Sequence, residues 1–91
     1  MTRLVRAHLG TSPGYGTQAL NQATAFNRQL RSLLVTPPGA SLLTVSDRGT
    51  VWVEAVYDPH TPGAEAWAER ARSLSPDIWA TMAERRKDRG W

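Results

Sequence analysis

The chain has 91 residues, a formal net charge of +3, two histidines and no cysteine. That length suits one domain, and the core is modest, because so short a chain hides little more than about 60% of its unfolded surface. Disulfides and thiolate metal sites are excluded, no apolar run approaches the roughly 20 residues that span a bilayer, and no cofactor motif is present.

Arg3 to Leu9 reads as a strand. Period two sets Val5, Ala7 and Leu9 on one face and Leu4, Arg6 and His8 on the other. The segment Gly10 to Gly16, with three glycines and a proline, is a loop. Thr17 to Leu34 is predicted to be a helix, with Leu20, Ala23, Phe26, Leu30 and Leu33 on one stripe and Thr17 as N-cap. Asn21, Arg28 and Ser32 fall on its outer face, with Arg31 and Gln29 at the flanks. Pro37-Pro38-Gly39 ends the segment.

Leu42 to Ser46 and Thr50 to Tyr57 are predicted to form a β-hairpin around a three-residue loop, Asp47-Arg48-Gly49. That register pairs Val45 with Val51 and Leu43 with Val53, so the inward face is Leu43, Val45, Val51, Val53, Ala55 and Tyr57. Trp52 then faces the opposite way, beside Thr44. Asp58 to Gly63 is a turn-rich connector. Ala64 to Leu74 reads as a helix, with Thr61 as cap, Pro62 at its first position and Ala64, Trp67, Ala68, Ala71 and Leu74 on its apolar stripe. Ser75-Pro76-Asp77 repeats the start signal and opens a last helix with Ile78, Trp79, Met82 and Ala83 on its apolar side. Residues 84–91 form a polar tail that is expected to fray.

The expected fold is therefore a single small two-layer α+β domain over residues 1–91, in the order β-α-β-β-α-α. A helix between the first two strands predicts that they run parallel, which makes a three-stranded mixed sheet with helices mainly on one face. Both edges of such a sheet are open to pairing, including pairing with a second copy.

The charges are unevenly placed. Residues 1–46 hold Arg3, Arg6, Arg28 and Arg31 and no acid, whereas residues 47–91 hold seven bases and eight acids. Ten of the eleven bases are arginine, the forked donor suited to phosphate and carboxylate, although a GC-rich genome produces the same bias. The loop from Gly10 to Thr17 lies between a strand and a helix, where anions can bind. It lacks the lysine and the spacing of a phosphate-binding loop, so glycines serving turn geometry explain it better. His60 beside Asp58 resembles an acid–base pair, but no nucleophile accompanies it, and the pair reads as turn chemistry. Glu65 and Glu69, one helical turn apart, read as a solvated face with Arg72.

Without a catalytic constellation, the chain reads as a non-enzymatic, cytoplasmic binding module, such as an adapter, inhibitor or assembly subunit. Its expected partner is an acidic protein surface, met by Trp52, Arg6, Arg28, Arg31 and Arg48, with no membrane and no metal. The alternative is a nucleic-acid binder that contacts phosphates through Arg3, Arg6, Arg28, Arg31, Arg85, Arg86 and Lys87, in keeping with a pI near 10.2. A net charge of +3 is low for that role, and no recognised RNA or DNA motif is present.

Overall fold

The computed structural model describes residues 3–88, and side chains through Arg85. Five elements follow in chain order: β1 (Val5–Thr11), α1 (Gly16–Leu33), β2 (Ala40–Asp47), β3 (Thr50–Tyr57) and α2 (Ala64–Asp88). The predicted small two-layer α+β domain is present, with both helices packed on one face of a three-stranded sheet.

The sheet order is β1-β3-β2, and both ladders are antiparallel. The expectation of a mixed sheet is corrected here. β1 and β2 do run in the same direction, as the intervening helix implied, but β3 lies between them, and both pair with it. The tight hairpin brings β3 back along β2, and β1 then pairs with the free edge of β3, which buries Ala7 and Leu9 in the same core as Val51, Val53 and Ala55.

The hairpin register differs by one residue from the expectation. Its loop is only Arg48-Gly49, with Asp47 opposite Thr50. Both loop residues have positive φ, 52° and 86°, the combination whose twist matches that of the flanking strands. Because side chains alternate with period two, a one-residue change exchanges the faces of β2. Leu42 and Thr44 therefore point toward the helices, and Leu43 and Val45 point away. The predicted inward face of β3 holds: Val51, Val53, Ala55 and Tyr57 are buried.

α1 buries Ala19, Ala23, Phe26 and Leu30. Leu20 and Leu33, also expected on that stripe, are exposed. The helix starts at Gly16, after Tyr15, rather than at Thr17, and no side chain caps it. Instead the Gly16 amide donates to the carbonyl of Gly49 at 2.9 Å. The hairpin turn thus satisfies one of the open donors at the helix N-terminus.

The two C-terminal helices predicted around Pro76 form one continuous helix. Ser75 does not cap a new helix. Its hydroxyl donates back to the Ala71 carbonyl at 2.6 Å, within the same turn and buried. Trp67, Ala68, Ala71, Ile78 and Met82 keep an apolar face on the core across the proline, and that burial outweighs the missing amide. Glu84 to Asp88 continue the helix.

The core centres on Phe26, whose ring stacks on the indole of Trp79 with centroids 4.3 Å apart and an interplanar angle of 11°. This stack joins α1 to α2. The Trp79 indole nitrogen donates to the Leu9 carbonyl at 3.0 Å. Leu9 lies in an irregularity between His8 and Gly10, where β1 slips relative to β3. The bulge leaves that carbonyl outside the regular ladder, and the tryptophan satisfies it.

Candidate functional site

With both helices on one side, the second face of the sheet is left without cover among the described residues. Three cross-strand rows build it: Arg6–Val56–Ser41, His8–Glu54–Leu43 and Thr11–Trp52–Val45. β3 alternates strictly between buried and half-buried residues, and Trp52, Glu54 and Val56 make up the half-buried set. Leu43 is exposed, and Val45 is half-buried beside Trp52. The corrected register thus places two aliphatic side chains next to the tryptophan, where the sequence alone suggested Thr44.

Glu54 organises the centre of this face. Its Oε1 accepts from Arg6 Nε at 2.6 Å, and the Nη2 of the same guanidinium forms an ion pair with it. Its Oε2 accepts from the Trp52 indole nitrogen at 3.1 Å. The Trp52 ring is thus tethered at its indole nitrogen, between its cross-strand neighbours Thr11 and Val45. The Arg6 side chain remains 55% exposed, so solvent screens the pair and it adds little stability. Its effect is to fix the ring and to cancel one positive charge of the N-terminal half.

The other sequence-predicted residues lie elsewhere. Arg28 and Arg31 are exposed on α1, in the layer opposite Arg6. With Thr24 and Asn27 they line a cleft of about 300 Å³. Asn27 Nδ2 donates to Thr44 Oγ1 of β2 at 2.9 Å, while its buried Oδ1 has no partner among the described residues. Arg48 occupies the hairpin tip, and its neighbour Gly49 lies against the exposed Tyr15. Arg3 is exposed just before β1, and Arg85 is exposed near the end of α2. The side chains of Arg86 and Lys87, and all of Trp91, lie outside the described residues. The structure thus gathers Arg6 and Trp52 into one patch and Arg28 and Arg31 into another.

The remaining constellations lie in turns and on α2. The glycine-rich loop spends its polar groups internally: Ser12 N–H donates to the Val51 carbonyl at 2.7 Å, and Ser12 Oγ donates to the Ala19 carbonyl at 2.7 Å. Asp58 Oδ1 accepts the backbone amide of His60 at 2.9 Å, closing a turn in which His60 is exposed. Glu65 and Glu69 are exposed on α2, and no group of three or more potential metal ligands occurs among the described residues. No helix of the described residues is long and apolar enough to cross a membrane.

Two contacts lay beyond the sequence reading. Asn27 and Thr44 lie in different elements, and their pairing depends on the hairpin register. The Trp79–Leu9 bond depends on a bulge at Gly10, for which an isolated glycine at a strand end was the only available hint. No family model matches this chain, and comparison with the curated proteins and with the solved structures found no match.

Proposed function

We propose that this chain is a small non-enzymatic module that docks a protein partner on the uncovered face of its sheet, with Trp52 as the anchor. One observation carries this reading: both helices sit on the same side, and the opposite face presents Trp52 amid Leu43, Val45 and Val56. Aromatic side chains held in a fixed orientation contribute large contact area at low entropic cost. Leu43, Val45 and Val56 make the ground around Trp52 apolar, and the Arg6–Glu54 pair is internally neutral. Arg48 at the hairpin tip, without a carboxylate partner among the described residues, supplies the positive charge that an acidic partner surface would meet. A cytoplasmic setting suits a cysteine-free chain.

The test is affinity capture from the native host with the natural chain and with Trp52→Ala, read by quantitative mass spectrometry. Loss of an anchoring tryptophan weakens binding by about 2 kcal/mol or more, roughly thirtyfold. Equal recovery of the same partners by both proteins would reject the reading.

Nucleic-acid binding is the second reading, and the observation that favours it is the Arg28–Arg31 pair on α1 without carboxylate partners among the described residues. Against it, Arg6 lies in the other layer and is bound to Glu54. Labelled DNA and RNA, followed by anisotropy at two salt concentrations, separate the readings, because phosphate contacts weaken steeply with salt. No binding at low salt removes this alternative.

A further inference from the structure

β2 is an edge of the sheet. Its pairing with β3 decides which backbone groups face outward. The Asp58 amide donates to the Gly39 carbonyl at 3.0 Å, in register with the β2–β3 ladder. Odd-numbered residues of β2 therefore exchange bonds with β3, and even-numbered ones turn theirs away. The Ala40 amide is taken by the Pro37 carbonyl at 3.3 Å. The amides and carbonyls of Leu42, Thr44 and Ser46 are left facing a side where no described element lies.

Edge strands are ordinarily guarded by charge, proline or a bulge. β2 has no charge before Asp47 and no proline, and the sheet's bulge is in β1. On the helix side, α1 overhangs this edge through the Asn27–Thr44 bond, and beside it lies the cleft lined by Thr24, Asn27, Arg28 and Arg31. The two arginines have no carboxylate partner among the described residues, and residues 1–46 contain no acid to supply one.

We propose that β2 accepts an extended acidic segment of another protein as a fourth strand, its acidic side chains directed at Arg28 and Arg31. Charge selects this occupant over a second copy of the chain. A twofold β2–β2 pairing centred on Thr44 would use every outward group of Leu42, Thr44 and Ser46. It would also set Arg28 and Arg31 of each copy across one seam, with no acid between them. An incoming strand alternates its side chains, so those facing the helix layer meet the arginines and those facing the other way extend the Leu43–Val45 surface. The partner's signature is thus an alternation of acidic and aliphatic residues. This edge site does not rest on the docking role assigned to Trp52.

The probe is an alternating valine–glutamate octapeptide, and the readout is amide hydrogen exchange by NMR on the full chain. The peptide is expected to slow exchange at Leu42, Thr44 and Ser46 about tenfold or more. Its valine–lysine counterpart is expected to have no effect. Arg28→Glu combined with Arg31→Glu, at exposed positions, is expected to weaken the peptide's affinity roughly tenfold. Trp52→Ala is expected to leave the protection in place. Unchanged exchange at those amides overturns the proposal, as does equal protection by the lysine peptide or loss of protection in Trp52→Ala. Protection already present in peptide-free protein that sediments as a dimer assigns the edge to a second copy instead.

Discussion

At Gly10 the backbone of β1 passes beneath the indole of Trp79. A Cβ placed there would lie 2.2 Å from Trp79 Nε1, and the residue's φ is +133°. Side chain and backbone both exclude any other residue: a methyl group would push out a ring that also stacks on Phe26 and binds the Leu9 carbonyl. Gly10→Ala is expected to cost about 2–4 kcal/mol, read from urea denaturation. Gly63→Ala is the comparison. Gly63 has a φ of +84° but open space where the Cβ would go, so only the backbone term applies, about 1 kcal/mol. Equal losses at the two sites would show that the contact with Trp79 contributes nothing.

At the scale of elements, α2 shows tertiary burial overriding a local stop. Pro76 provides no amide for the turn before it and crowds the carbonyl four residues back, a cost of about 3 kcal/mol relative to alanine in a helix interior. The helix persists because Ala71 on one side and Ile78 and Met82 on the other are buried in the same core. Pro76→Ala is expected to stabilise the fold by about 1 kcal/mol or more in the same assay, and a loss of stability would mean that the packing requires the proline's distortion. Proline and the preceding serine are a sound start signal, but a signal read in one dimension cannot weigh the burial that follows. The hairpin shows the same limit. β3 was legible because Val51, Val53, Ala55 and Tyr57 alternate cleanly with Trp52, Glu54 and Val56. β2 was not, because Leu42-Leu43-Thr44-Val45 offers apolar residues to either face, and only the left-handed conformation of Arg48 chose between them. The open face was therefore legible in its central strand and misread at its edge.

The whole molecule is a thin slab, 47 × 28 × 15 Å. Its radius of gyration, 13.7 Å, exceeds the roughly 12 Å of a compact chain this long. The 25 residues of α2, about 37 Å at 1.5 Å each, account for much of the long dimension, and with one sheet face bare a single layer of contact between helices and sheet carries the stability. A domain of this length is stable by about 5–14 kcal/mol. Phe26 is fully buried in that layer and meets α2 directly. Phe26→Ala is expected to remove about 3–5 kcal/mol, a large share of the total. Thermal unfolding followed by circular dichroism should show one transition displaced to much lower temperature. A displacement of only a few degrees would mean that the core is held elsewhere.

Surface turns usually tolerate insertions and deletions, since lengthening them disturbs little beyond the tip. The Arg48-Gly49 turn does not belong to that class. Adding a single residue there in a way that moved the pairing one step would bring Leu43 and Val45 beneath the helices and expel Leu42 and Thr44, taking with it the Asn27 bond. Every residue of the strand would be unchanged, and both of its surfaces would be new. Length at this turn therefore decides which side chains of β2 lie on the open face, as firmly as the left-handed conformation of its two residues does.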